Sequence, residues 1–143
     1  MKILVPVDGS PASIRAVRLA IDHVKAQRAE ASLILVNVQN FSTVGFPEGT
    51  EIMPAAWIAE KEESAAREAL KEAVAVCREA GICYLTRAGR GGVAATINRI
   101  AREESVQHIF MGTRGLGGVR GLLLGSVTTQ LLHLVDIPTT LVK

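Results

Sequence analysis

"KILVPVDGSPAS", Lys2 to Ser13, decides the fold. Its opening run is apolar nearly throughout, the pattern of a strand covered on both faces rather than one with a wet side. We read residues 2–8 as that strand. A helix start follows at once, with Ser10 as N-cap and Pro11 at the first helical position. Ile14, Val17, Ile21 and Val24 recur at helical spacing, which predicts a helix over 11–28. A buried strand feeding an amphipathic helix is one βα unit, and the rest of the chain repeats it.

"SLILVNV" (32–38) predicts the second strand. Residues 39–54 hold Gly45, Pro47, Gly49 and Pro54 without a period and read as a long loop. A helix is expected over 55–80, its apolar face including Ile58, Ala66, Ala69, Leu70, Ala73, Val76 and Cys77, with Gly81 ending it. "ICYLTRA" (82–88) predicts strand three, 92–104 helix three with Val93, Ile97, Ile100 and Ala101 turned into the core, and "QHIFMG" (107–112) strand four. Helix four is expected over about 127–135 with Ser126 before it, and "PTTLVK" (138–143) is the last strand. This βαβαβαβαβ rhythm gives one α/β domain spanning 1–143: a doubly wound, five-stranded parallel sheet with helices on both faces, in the order 3-2-1-4-5. Such sheets bind ligands beyond the carboxyl ends of the strands where the order reverses, here between strands one and four.

The bulk numbers narrow the function. A chain of 143 residues suits one domain with a real core. A net charge of +2 and 3% aromatic residues argue against a nucleic-acid partner, which needs a basic stripe or stacking platforms. No apolar run approaches the roughly 18 residues that span a bilayer, and the start does not fit a signal peptide, so a cytoplasmic protein without membrane insertion is expected. Cys77 and Cys83 lack metal-ligand spacing and are expected to be reduced core thiols.

The expected crevice receives a second distinctive stretch, "GTRGLGGVRGLLLGS", Gly112 to Ser126. Glycines let backbone N–H groups approach an anion, and successive amides form anion-binding nests. The N-terminus of helix four adds partial positive charge, Arg114 and Arg120 add cations, and the Ser126 hydroxyl suits a cap or a phosphate contact. These features converge on a phosphate-bearing ligand, set against the plainer reading of a flexible connection. Asp8 faces the loop across the crevice, placed to hold a ribose hydroxyl, a bound metal or a neighbouring backbone amide. Other matches are weaker. Gly89, Gly91 and Ala94 fit G-x-G-x-x-A, but at the sheet edge and without the following acid, so they read as a turn. No lysine supplies a P-loop, His23 and His108 read as surface or helix-edge residues, all three histidines, with His133, as structural or solvated, and no catalytic or metal-binding constellation emerges.

Gly112-x-x-Gly115, nine residues, then Gly125-Ser126 resembles the ATP-binding signature of universal stress proteins, whose fold is Rossmann-like, of the adenine nucleotide alpha hydrolase type. "ILVPVDGS", "LILVNV", "IFMGTRG" and "IPTTLVK" resemble the family's first, second, fourth and closing strands, so the similarity covers the whole chain. The resemblance implies a bound adenine nucleotide. Pro6, Val7 and Asp8 would flank adenine and ribose, and Val38 would line the base pocket. Gly112, Thr113, Arg114, Gly115, Leu116, Gly117 and Gly118 would wrap ribose and phosphates, with Gly125, Ser126, Val127 and Thr128 completing the cradle. It also implies ATP, commonly with Mg or Mn, for which Asp8 is the one protein ligand in view, and a homodimer built on residues 138–143. The turn after strand three departs from the family's Gly-Asp-Pro-like form and reads "AGRGG". The expectation is an ATP-binding, nucleotide-responsive stress regulator, with a further protein partner that the sequence does not identify. A slow ATPase and a sensor of another adenine nucleotide such as AMP are the alternatives.

Overall fold

Five strands, all parallel, form one sheet in the order β3-β2-β1-β4-β5. The computed structural model describes residues 1–27, 30–40, 54–116 and 124–143. The elements are β1 (Lys2–Pro6), α1 (Pro11–Gln27), β2 (Ser32–Gln39), α2 (Ala55–Ala80), β3 (Tyr84–Arg90), α3 (Val93–Glu103), β4 (His108–Gly112), α4 (Ser126–Leu134) and β5 (Thr139–Val142). The α/β class, the strand order and the helices on both faces agree with the sequence reading. Arg28, read as the end of the first helix, and most of the expected 39–54 loop lie outside the described residues.

Strand alternation divides the core in two. Ile3, Val5, Leu33, Leu35 and Phe110 face α1 and α2, where Val17, Ile21, Leu70, Ala73 and Cys77 complete one buried cluster. Leu4, Ile34, Val36, Ile109 and Met111 face α3 and α4, meeting Ile97, Ile100 and Leu131. β1 lies central and its Ile3, Leu4 and Val5 are fully buried, as expected of a strand covered on both sides.

The helix starts and stops follow local chemistry. Ser10 caps α1 as expected: its Oγ accepts the Ser13 N–H at 3.2 Å. Gly81 ends α2 in the left-handed region (φ 68), where the Ile82 N–H donates back to Cys77. That cap occupies residues 81 and 82, so β3 begins at Tyr84 rather than at the expected 82. β3 also runs two residues further, through Gly89 and Arg90, so the turn read into "AGRGG" shrinks to Gly91 (φ 96) and Gly92. Gly89 is required by packing, since a Cβ there would lie 2.5 Å from Thr96 Cγ2 of α3. β1 ends at Pro6, so Val7 and Asp8 belong to the following loop.

Three further readings are corrected. Cys77 is buried, and burial pushes its thiol up to about 11, but Cys83 is exposed because it precedes the first strand residue. Ser126 is not the cap of α4; Gly125 holds that position without a side-chain cap, and Ser126 is the first helical residue, exposed. His23 and His108 are not separate surface residues. Their rings lie 5.6 Å apart, His108 stacks on Phe110 at 4.7 Å, and its Nε2 meets Thr140 Oγ1 at 2.9 Å.

Candidate functional site

The β1–α1 and β4–α4 connections leave the sheet at its one reversal point, and a cavity of about 350 Å³ opens between them. Its apolar part continues the α3–α4 core. Val36 and Val38, two residues apart on β2, project to the same face. Val93 and Ile97 from α3, Met111 from β4 and Pro6 complete those walls.

The other part is polar backbone. β4 ends at Gly112, where a Cβ would lie 2.9 Å from the Ala12 carbonyl carbon, so glycine lets α1 sit against the strand. Thr128 Oγ1 donates to the Gly112 carbonyl at 3.2 Å, and the Gly125 N–H donates to the Thr113 carbonyl at 2.7 Å. These two bonds seat the start of α4 on the end of β4. The first-turn amides of Ser126, Val127 and Thr128 have no intrahelical partner, and all three residues line the cavity. Asp8 spans the mouth. Its Oδ1 accepts the Ser10 N–H at 2.9 Å, and its Oδ2 accepts the Leu116 N–H at 3.1 Å. Among the described lining residues Asp8 and the exposed Arg114 are the charged ones. Within the lining, buried Asn37 donates from Nδ2 to the Val7 carbonyl at 2.7 Å and accepts from Gln39 at 2.7 Å, fixing the chain just after β1.

Of the residues expected from the sequence, Pro6, Val7, Asp8, Val38, Gly112, Arg114, Gly115, Leu116, Gly125, Ser126, Val127 and Thr128 meet around this one cavity. Thr113 does not line it; its side chain is buried and its N–H donates to Val142 of β5 at 2.8 Å. Gly117, Gly118 and Arg120 lie outside the described residues. The sequence reading missed Ser13, Val36, Asn37, Val93, Ile97, Met111 and Leu124. Two of these carried a signal: Val36 shares a face with Val38, and Met111 adjoins Gly112. Val93 and Ile97 carried none, because helix three was counted as core alone.

The fold and crevice define a doubly wound α/β protein with a cavity at its topological switch point, where such sheets bind ligands. The profile of the universal stress protein family matches residues 1–143, and the chain belongs to that family. It is 31% identical over 145 residues to the universal stress protein YxiE of Bacillus subtilis, covering 99% of this chain and 98% of that protein. The solved UspA of Lactobacillus plantarum superposes with a TM-score of 0.77 at 21% identity, covering 100% of this chain and 97% of that one. A universal stress protein of Arabidopsis thaliana, solved with AMP bound, gives a TM-score of 0.68 at 17% identity and covers 100% and 91%. No helix among the described residues is long and apolar enough to cross a membrane.

Proposed function

We propose that this chain is an adenine-nucleotide-binding universal stress protein that acts as a nucleotide-responsive regulator in the cytoplasm. The observation that carries the reading is the division of one cavity into an apolar slot and a rim of first-turn α4 amides that have no intrahelical partner. The base enters between Val38, Val93, Ile97 and Met111. The ribose lies by Asp8, and the phosphates meet Ser126, Val127 and Arg114 at the positive end of α4. Structures of the same fold solved with cAMP, AMP or dAMP support this class of ligand. ATP is the ligand favoured by the glycine signature. Mg or Mn would come with the nucleotide's phosphates, Asp8 being the lining carboxylate that could join it.

Bound nucleotide favours one conformation through differential affinity, and this is how the ligand becomes a signal. Hydrolysis is absent or slow in this reading, because Asp8 is the one carboxylate among the described lining residues and the ribose, rather than an attacking water, occupies it. Turnover near the ordinary enzyme median of roughly 10 per second would contradict it. The open edge of β5 pairs with a second copy through residues 138–143, covering unpaired backbone groups. Leu141 is exposed on that edge, as are Leu132 and Leu134 on neighbouring α4. Leu141→Pro removes one donor and shifts the dimer to monomer in sedimentation; a wild type monomeric at tens of micromolar, with and without ATP, contradicts the pairing.

Gly115→Val tests the site. A Cβ at Gly115 would lie 2.5 Å from Asp8 Oδ2, so valine displaces either the loop or the carboxylate. Calorimetry with ATP and AMP is expected to show binding by the wild type and a loss of at least about tenfold in the variant, equal to about 1.4 kcal/mol, with unchanged circular dichroism. Equal affinities would falsify the placement.

A further inference from the structure

The cavity presents a problem of selectivity. The first-turn amides of Ser126, Val127 and Thr128, which have no intrahelical partner, together with Arg114 make a general anion site that by itself would not distinguish sulfate, phosphate or polyphosphate from a nucleotide. Yet a carboxylate stands at the mouth of the same cavity. Asp8 Oδ2 holds the Leu116 N–H at 3.1 Å, and Oδ1 is committed to Ser10 at 2.9 Å. The approach is so close that a Cβ on Gly115 would overlap Oδ2 at 2.5 Å. Asp8 therefore does two things to an incoming anion. It occupies a loop donor that an oxyanion would use, and it places negative charge beside the anion's path.

We propose that Asp8 is the specificity-determining residue of the crevice, excluding bare phosphate-type anions. The inference rests on the nucleotide reading and deepens it. One N–H shared between a carboxylate and a phosphate oxygen bonds each only weakly, so an oxyanion takes the Leu116 N–H fully only by displacing Asp8. A bare anion offers Asp8 no hydrogen-bond donor in return and meets like-charge repulsion. A nucleotide offers sugar hydroxyls, which donate to the carboxylate while the base fills the apolar slot. Discrimination of this kind comes from an unfavourable contact with the competitor rather than a better contact with the ligand.

The test is calorimetry at low ionic strength with metal-free sodium tripolyphosphate and, separately, AMP, on the wild type, Asp8→Ala and Asp8→Asn. Asparagine keeps the side chain's shape and one acceptor for Ser10, so it carries the test if the alanine variant does not fold. Both variants are expected to bind tripolyphosphate about tenfold more tightly than the wild type, while AMP affinity does not rise in step. The gain shrinks as salt is added, because it is electrostatic at a solvent-reached site. Tripolyphosphate affinity that is unchanged, weaker or undetectable in the folded variants overturns the proposal, as does a gain independent of salt. Failure of the wild type to bind either AMP or ATP is a separate result that removes the nucleotide reading instead.

Discussion

The two faces of this sheet are covered unequally. One carries α1 and α2, of 17 and 26 residues; the other carries α3 and α4, of 11 and 9. At about 1.5 Å per residue the first pair reaches about 26 and 39 Å, the second only about 16 and 14 Å. The long pair covers its face, and Ile3, Val5, Leu33 and Leu35 are all fully buried beneath it. The short pair does the same for Leu4 and Ile34 but stops short of the carboxyl ends, where Val38 and Val93 are left half-buried around the cavity. The crevice is thus an unfilled continuation of one of the two cores. Among the described residues the α1–α2 face has no such gap, and the proposed ligand would enter the one left on the other.

Truncation breaks the comparison most directly. Leu35→Ala on the filled face is expected to cost about 3–4 kcal/mol in denaturant unfolding, since no neighbour can collapse into the hole. Val38→Ala, at the rim, is expected to cost less than about 1 kcal/mol, because the site already borders open space. The ligand effects are expected to run the other way: in calorimetry, nucleotide affinity should fall several-fold for Val38→Ala and stay unchanged for a folded Leu35→Ala. Similar stability losses for the two variants would remove the asymmetry.

Gly112→Ala is the next largest effect. The new methyl meets the Ala12 backbone at 2.9 Å, and backbone cannot rotate aside. A loss of about 1–3 kcal/mol is expected, read as a lower thermal midpoint.

The smallest effects are those of pH, and both belong to the filled face. Burial, with the nearby His23 ring adding to it, lowers the His108 pKa from its ordinary 6.5. Between the lowered folded value and 6.5 the unfolded chain binds more protons, so stability falls as pH drops through that window. Burial raises the Cys77 thiol from 9.0 to about 11, so between those values the unfolded chain binds fewer protons and stability falls as pH rises. His108→Phe flattens the acid limb of a stability–pH profile and Cys77→Ala the alkaline limb. Val38→Ala leaves both limbs in place.

The same asymmetry explains what could be read from the sequence. Strand order and both core faces were legible because apolar runs and helical periods report burial directly, as in "KILVPV" and the Ile14–Val17–Ile21–Val24 stripe. The glycine spacing and Asp8 placed the crevice. What escaped depends on contacts between elements distant in the chain. Gly89 looked like a turn residue, but it is a strand residue made small by Thr96. Ser126 looked like a cap because its residue type favours that role, yet Gly125 occupies the position. The walls from Val93 and Ile97 could not be separated from ordinary core positions, since a helix stripe carries no mark of where its cover ends. The His23–His108–Phe110 cluster joins α1 to β4, and no local spacing announces it.

Methyl resonances followed during nucleotide titration test the central claim directly, since the two faces report separately. With AMP or ATP added, the methyls of Val38, Val93, Ile97 and Met111 are expected to shift saturably, while those of Ile3, Val17 and Leu35 on the filled face stay in place. No shift at millimolar nucleotide, or shifts confined to the α1–α2 face, would contradict the account.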